Sequence, residues 1–228
     1  PLIIEDLSIS RCRLELDRPD LERPHALELD QLAFRVKPLV RVELDGGGRL
    51  NGESLSVSGW YAPHGIFVHK GKLEHELSLS FGEVHLNSAG TVDEVADWSG
   101  ANIEVEFSGP SIESVLQTFS LPLFSEGDFD FRFGLNTQSD LTDLKLDGDL
   151  GSLEVGASGQ LDRLIRPGRG SMDARVHVPD MNALGQAFGV TGVPQDTIDI
   201  EARAAFDGGM IRISEATAVT GRERLEVS

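Results

Sequence analysis

The chain has 228 residues and a formal net charge of -18, from 38 acidic side chains against 20 Lys and Arg. That balance argues against a nucleic-acid partner, which is held by clustered cations, and the single cysteine, Cys12, rules out an internal disulfide framework. Hydrophobic residues make up 39% of the chain, enough for a folded protein but low for a large closed core.

Period-two alternation begins at once. "LSISRCRLEL" (7–16) carries Leu7 and Ile9, then Leu14 and Leu16; "ALELDQLAFRV" (26–36) carries Leu27 and Leu29, then Leu32, Phe34 and Val36. "LVRVEL" (39–44), "SLSVSG" (54–59), "KLEHELSL" (72–79), "EVHLNSAG" (83–90) and "NIEVEFSG" (102–109) continue the pattern. Beyond the midpoint come "GDFDFRFGL" (127–135), "DLKLDGDL" (143–150), "SLEVGASGQL" (152–161), "DARVHV" (173–178) and "TIDIEARAAF" (197–206). Each reads as a strand with one apolar and one wet face. "DGGG" at 45–48, "DGDLG" at 147–151 and "DGG" at 207–209 read as turns between them. The expected fold class is mainly β, an antiparallel sheet of roughly 15 strands that at about 4.8 Å per strand must twist and curl.

Two segments break the alternation. "PSIESVLQTFSLPLF" (110–124) spaces Ile112, Val115, Leu116 and Phe119 for one helical face, with Ser111 as N-cap; "PDMNALGQAFGVTGVP" (179–194) does the same with Met181, Leu184 and Phe188 behind Asp180. Short helices are expected near 111–119 and 180–188. Their 69-residue offset extends to both sides, pairing Val84 with Leu153, Gly90 with Gly159 and Phe131 with Ile200. The organisation read from this is a run of N-terminal strands over 1–60, then a continuation over 61–228 holding two repeats of about 69 residues, each several strands plus a helix.

Chemistry-bearing motifs are scarce. "GGGRLNG" (46–52) has Asn51 where a dinucleotide loop needs its third glycine, and "GASG" (156–159) lacks the spacing of a nucleophile elbow. His75 shares parity with Leu73, Leu77 and Leu79 and is expected to face inward, whereas His85 faces outward, so the histidines do not converge on a metal. Asp128/Asp130 and Glu74/Glu76 lie on wet strand faces as solvated pairs, and "DGD" (147–149) reads as a turn rather than a Ca²⁺ loop. No catalytic residue, metal or cofactor is expected, and the protein is read as no enzyme. Eleven Phe against one Tyr and two Trp make an apolar surface with few polar handles, suited to a core or to acyl chains.

The order of these elements carries a resemblance. The short helix "GPSIESVLQTFSLP", the hairpin "LDGDLGSLEVGASGQL" and the passage "RPGRGSMDARVHVPDMNAL" leading to the next helix are similar to the repeating β region of the AsmA-like family of Gram-negative envelope proteins. The resemblance spans nearly the whole chain. It implies a β-groove with an apolar lining that carries phospholipid between inner and outer membrane and supports outer-membrane biogenesis, with no catalytic residues. It also implies a periplasmic location, an inner-membrane anchor outside this stretch, and outer-membrane assembly proteins as further partners. The chain reads as an internal stretch of such a protein: it holds no signal peptide and no apolar run near the roughly 20 residues that cross a bilayer. Phe129, Phe131, Phe133, Leu144, Leu146, Leu153 and Val155 are expected to line the groove, from their shared parity. The alternative is a non-catalytic envelope scaffold whose apolar faces pack shut as a closed β core.

Overall fold

The structure is a computed structural model that describes residues 5–16, 25–37, 41–63, 71–113, 127–162, 168–182, 185, 192–193, 195–207, 210–221 and 223–227. These residues form a single sheet of fourteen strands: β1 (Asp6–Leu16), β2 (His25–Lys37), β3 (Arg41–Leu50), β4 (Glu53–Pro63), β5 (Leu73–Phe81), β6 (Val84–Val92), β7 (Asn102–Gly109), β8 (Phe129–Gln138), β9 (Leu141–Leu150), β10 (Leu153–Leu161), β11 (Arg169–Val178), β12 (Ile198–Asp207), β13 (Met210–Thr220) and β14 (Arg224–Val227). Every strand pairs antiparallel with its sequence neighbours and with nothing else, in the order β1 to β14, so the sheet is an open meander.

In-register antiparallel pairing turns local alternation into a global property. Side chains on one strand point to opposite faces, and each pairing places apolar opposite apolar: Leu79 faces Leu86, Leu86 faces Phe107, Phe107 faces Phe131, and Phe133 faces Leu146. The outcome is one apolar and one charged face running across the sheet. The parity changes in 7–16 and 26–36 have a physical cause. Cys12 pairs with Leu29 and Ile9 with Leu32, while the β2–β3 register slips between Leu29 and Gln31, leaving Asp30 as an extra residue; Arg11, across from it, has φ 53°. Such a bulge flips parity in mid-strand and returns the following apolar residues to the same face. A second slip, between Arg203 and Ala204 against β13, brings both Ile213 and Ala216 onto that face.

Two expected turns are corrected. "DGGG" (45–48) lies inside β3 and 147–150 inside β9, with the chain reversing only at Asn51–Gly52 and Gly151–Ser152. Glycine is used there for close approach. At Gly48, Gly59, Gly90, Gly148 and Gly159, all on the apolar face, an added Cβ would stand 2.7–3.0 Å from the Cα of the residue paired on the next strand. On the charged face, a Cβ at Gly47 would meet the Leu55 carbonyl at 3.6 Å, and one at Gly134 the Lys145 Cβ at 4.0 Å, both ordinary contacts. A Cβ at Gly156, also on the charged face, would first meet the Arg175 side chain, its Nε at 2.5 Å, so crowding against the paired strand's backbone is what marks the apolar-face glycines.

The expected helices near 111–119 and 180–188 lie largely outside the described residues, which contain no complete helix. The residues at their expected starts are described: the Ile112 amide donates to the Gly127 carbonyl at 3.0 Å, the Met181 amide to the Asp196 carbonyl at 2.9 Å, and the Asn182 amide to the Asp180 carboxylate at 2.9 Å. Both starts lie on the same margin of the sheet. Strand starts at Val84, Phe129 and Leu141 recur at Leu153, Ile198 and Met210, 69 residues later in each case.

The close approach of strands makes an unequal prediction for two glycines. Gly90→Ala, which forces a Cβ against the Ile103 Cα, should cost roughly 1–3 kcal/mol of stability. Gly134→Ala, with room on the charged face, should change it by less than about 0.5 kcal/mol. Chemical denaturation of the two variants decides this, and equal losses would remove the difference between the faces.

Candidate functional site

The extended feature of this molecule is its apolar face, and its geometry follows from what covers it. A compact protein of 24.7 kDa exposes about 10,000 Å², whereas this chain exposes 15494 Å². The described residues form a single layer of sheet, with no second sheet stacked on it. Burial is concentrated at the two margins of β6–β9. At one, Val84, Ile112, Phe129 and Leu150 form a cluster, with Phe107, Phe131 and Leu153 packed against it. At the other, Val92, Ala101, Ile103 and Leu135 do the same, with Trp98 and Phe133 against them. Thr137 and Thr142 extend this second margin, and their hydroxyls hydrogen-bond each other at 3.1 Å, so neither is left unsatisfied when buried.

Each margin is closed by a connection between strands. After β7 the chain drops Ile112 onto Phe129 and Leu150. After β6 the loop 93–101 folds back on itself: the amides of Asp93 and Glu94 both donate to the Ser99 carbonyl, the Ser99 amide donates to the Asp97 carboxylate, and the Thr137 amide donates to the Ala101 carbonyl at 2.7 Å. Trp98, with φ 64°, and Gly100, with φ 63°, make the reversal.

All seven residues expected to line a groove share this face. Phe131 pairs with Gly148 and Gly148 with Val155; Phe133 pairs with Leu146, Leu135 with Leu144, and Leu150 with Leu153. Their exposure divides them. Phe129 is only 3% exposed, sealed under Ile112 and in tilted contact with Phe107, ring centroids 4.8 Å apart. Phe131, Phe133, Leu144, Leu146, Leu153 and Val155 are half-buried and reachable. Strand register adds Leu86, Val105, Phe107, Val176 and Ile200 to the same rows; the signal for them was the same alternation, extended across the pairings. Helical spacing singled out Ile112 without showing what it covers, and nothing periodic marked Trp98 or Ala101. Toward the sheet's two ends the covering disappears: Leu14 is 56% exposed, Ile211 69% and Leu225 66%.

The opposite face is a lattice of exposed ion pairs. Arg203 bridges Asp173 (2.7 Å) and Glu215 (3.2 Å), and Asp147 receives Lys145 (2.6 Å) and Arg175 (3.0 Å). These groups border a surface depression of about 380 Å³. Exposed pairs of this kind contribute little individually; their effect is to keep this face wet. Hydrogen bonding to Lys145 holds the Asp147 carboxyl below its usual range.

The described histidines separate as their parity required. His75 lies on the apolar face, hydrogen-bonded through Nε2 to Ser88 Oγ at 2.9 Å, and burial pulls its pKa below the ordinary imidazole value. His85 lies on the charged face beside Ser80, at 3.0 Å. His177, also on the charged face, contacts the Asp199 carboxylate at 2.6 Å, and that hydrogen bond lifts its pKa. Among the described residues no group of three or more His, Cys, Asp or Glu side chains is arranged to hold a metal ion, and no helix is long and apolar enough to cross a membrane. Comparison with protein-family models, characterised proteins and solved structures finds no match for this chain.

The two perturbed histidines couple to stability with opposite signs. His177, with its pKa raised, adds stability that is fully present below the ordinary imidazole pKa and is lost as pH rises through its own value. His75, with its pKa lowered, adds stability that is present above the ordinary value and is lost as pH falls toward its own. An NMR titration of the histidine ring protons should therefore find His177 protonating at higher pH than His75; the reverse order would contradict the placement of the two faces.

Proposed function

We propose that this chain is a lipid-sheltering segment of a cell-envelope protein, whose sheet curls around its apolar face to make a trough for acyl chains. The observation that carries this reading is the apolar face itself, continuous across the sheet, paired row to row and with no second layer among the described residues. Three features support it. The glycines whose missing Cβ lets strands close up lie on that face, which favours curvature toward it. The charged face carries a network of exposed ion pairs, the arrangement expected of a convex outer wall in water. The resemblance of the repeats to AsmA-like proteins points to the same cargo, to the periplasm, and to an inner-membrane anchor and outer-membrane assembly partners outside this stretch.

The physical case rests on desolvation. Each CH₂ moved into water costs about 0.8 kcal/mol, so two long acyl chains cost on the order of 20 kcal/mol. A strip of Leu, Val, Ile and Phe with no fixed polar direction removes most of that cost at every position along it, and holds the cargo nowhere strongly enough to trap it. No bond is made or broken and no cofactor is needed. A closed scaffold, the rival reading, requires the same residues to be packed against a second layer; the open meander provides none among the described residues.

Photo-crosslinking to phospholipid vesicles bearing a diazirine on the acyl chain tests the reading. A photoreactive residue at Phe131 should capture lipid, and one at Arg132, its neighbour on the charged face, should not. Equal capture at both would defeat the assignment. Phe131→Asp should lower capture at the neighbouring Leu146 at least about tenfold, because a carboxylate in the strip must be desolvated for hydrocarbon to pass.

A further inference from the structure

The apolar face is not uniform. On β8, Phe129 and Leu135 are buried and only Phe131 and Phe133 stand half-open between them. On β7, Ile103 is buried and Gly109 lies under the Phe129 ring, so the open positions are again two, Val105 and Phe107. On β12, by contrast, Ile198, Ile200, Ala202, Ala204 and Phe206 are all half-open and none is buried. The strip thus narrows from five side-chain rows to two. The narrowing is built by the chain itself, from both margins, with Trp98 and Ala101 on one side and Ile112 on the other.

We propose that β7 and β8 form a neck in the trough that fixes how many acyl chains lie abreast. The inference rests on the lipid-sheltering reading and goes beyond it. Residues two apart on a strand are spaced by about 6.7 Å, so each row is a lane for one extended hydrocarbon chain and two rows pass two chains side by side. A two-chain lipid crosses the neck lying flat. A four-chain lipid fits the five-row region at β12 but not the neck. On the adjoining β6 the two lanes continue over Ser88, paired with Val105, and Leu86, paired with Phe107, both half-open.

The test uses photoreactive residues at Val105, in the neck, and at Ala202, outside it, with vesicles containing diazirine-labelled phosphatidylglycerol (two chains) or diazirine-labelled cardiolipin (four chains). Phosphatidylglycerol should label both positions. Cardiolipin should label Ala202 and give at least about fivefold less at Val105. Trp98→Ala or Ile112→Ala, by lowering one wall, should restore cardiolipin labelling at Val105 toward its level at Ala202. Cardiolipin labelling Val105 and Ala202 equally in the unmodified chain would overturn the neck and leave the trough standing, and this comparison decides even if a wall variant fails to fold. No labelling by either lipid at either position would overturn the lipid reading, and the neck with it.

Discussion

The structure depends on one constraint: fourteen strands pair antiparallel in an unbroken meander, and alternation along each strand must stay in phase with alternation along the next. Once that phase is kept, the alternating apolar side chains are delivered to one face and nearly all strand charges to the other, with few exceptions such as Trp60 between Glu43 and Glu76. Where a strand would fall out of phase, the backbone inserts a residue. Asp30 on β2, with Arg11 opposite it, and the slip beside Arg203 are such insertions, and each restores apolar residues to the common face. A sheet that guards its phase at the cost of local ladder hydrogen bonds is one for which a continuous apolar surface matters more than regular strands.

That surface poses an energetic problem that ordinary β proteins solve with a second layer. Here the cover is partial. Ile112 and the loop around Trp98 seal the margins of β6–β9 and supply the buried clusters that anchor the sheet, while the rows between stay half-open. Exposed apolar patches beyond a few hundred Å² mark interaction surfaces in soluble proteins. The -18 charge of the chain and the exposed ion pairs of the opposite face favour hydration of a molecule with so much exposed hydrocarbon.

Much of this was legible in the sequence, for a simple reason. A period of two is the most direct imprint a strand leaves, so the strands, their faces and the common parity of Phe131, Phe133 and Leu146 could be read from the residue order alone. The parity breaks in 7–16 and 26–36 were visible too; their cause required the pairing partner. The mid-strand glycines misled because composition cannot distinguish a glycine that turns the chain from one that omits a Cβ where strands crowd. Gly148 sits between two aspartates, as a turn glycine would, yet it lies under Phe131 in the middle of β9. The burial of Phe129 was illegible for a different reason: it is set by Ile112, whose helical spacing marks an apolar face but not the strand residue that face covers. The extension of the sheet through β13 was missed because "MIRISEATAVT" changes parity at Ser214, which hides the alternation.

A trough requires that the rows between the two margins stand open to anything apolar that arrives, and collisional accessibility of nitroxide labels measures this directly. Labels placed singly at positions 131, 146 and 176 should relax rapidly with dissolved oxygen in lipid-free protein, and lose access to a water-soluble nickel reagent once phospholipid vesicles are added. Labels at these positions that neither reagent reaches in the lipid-free protein would show the face to be packed shut, and a closed scaffold would replace the trough.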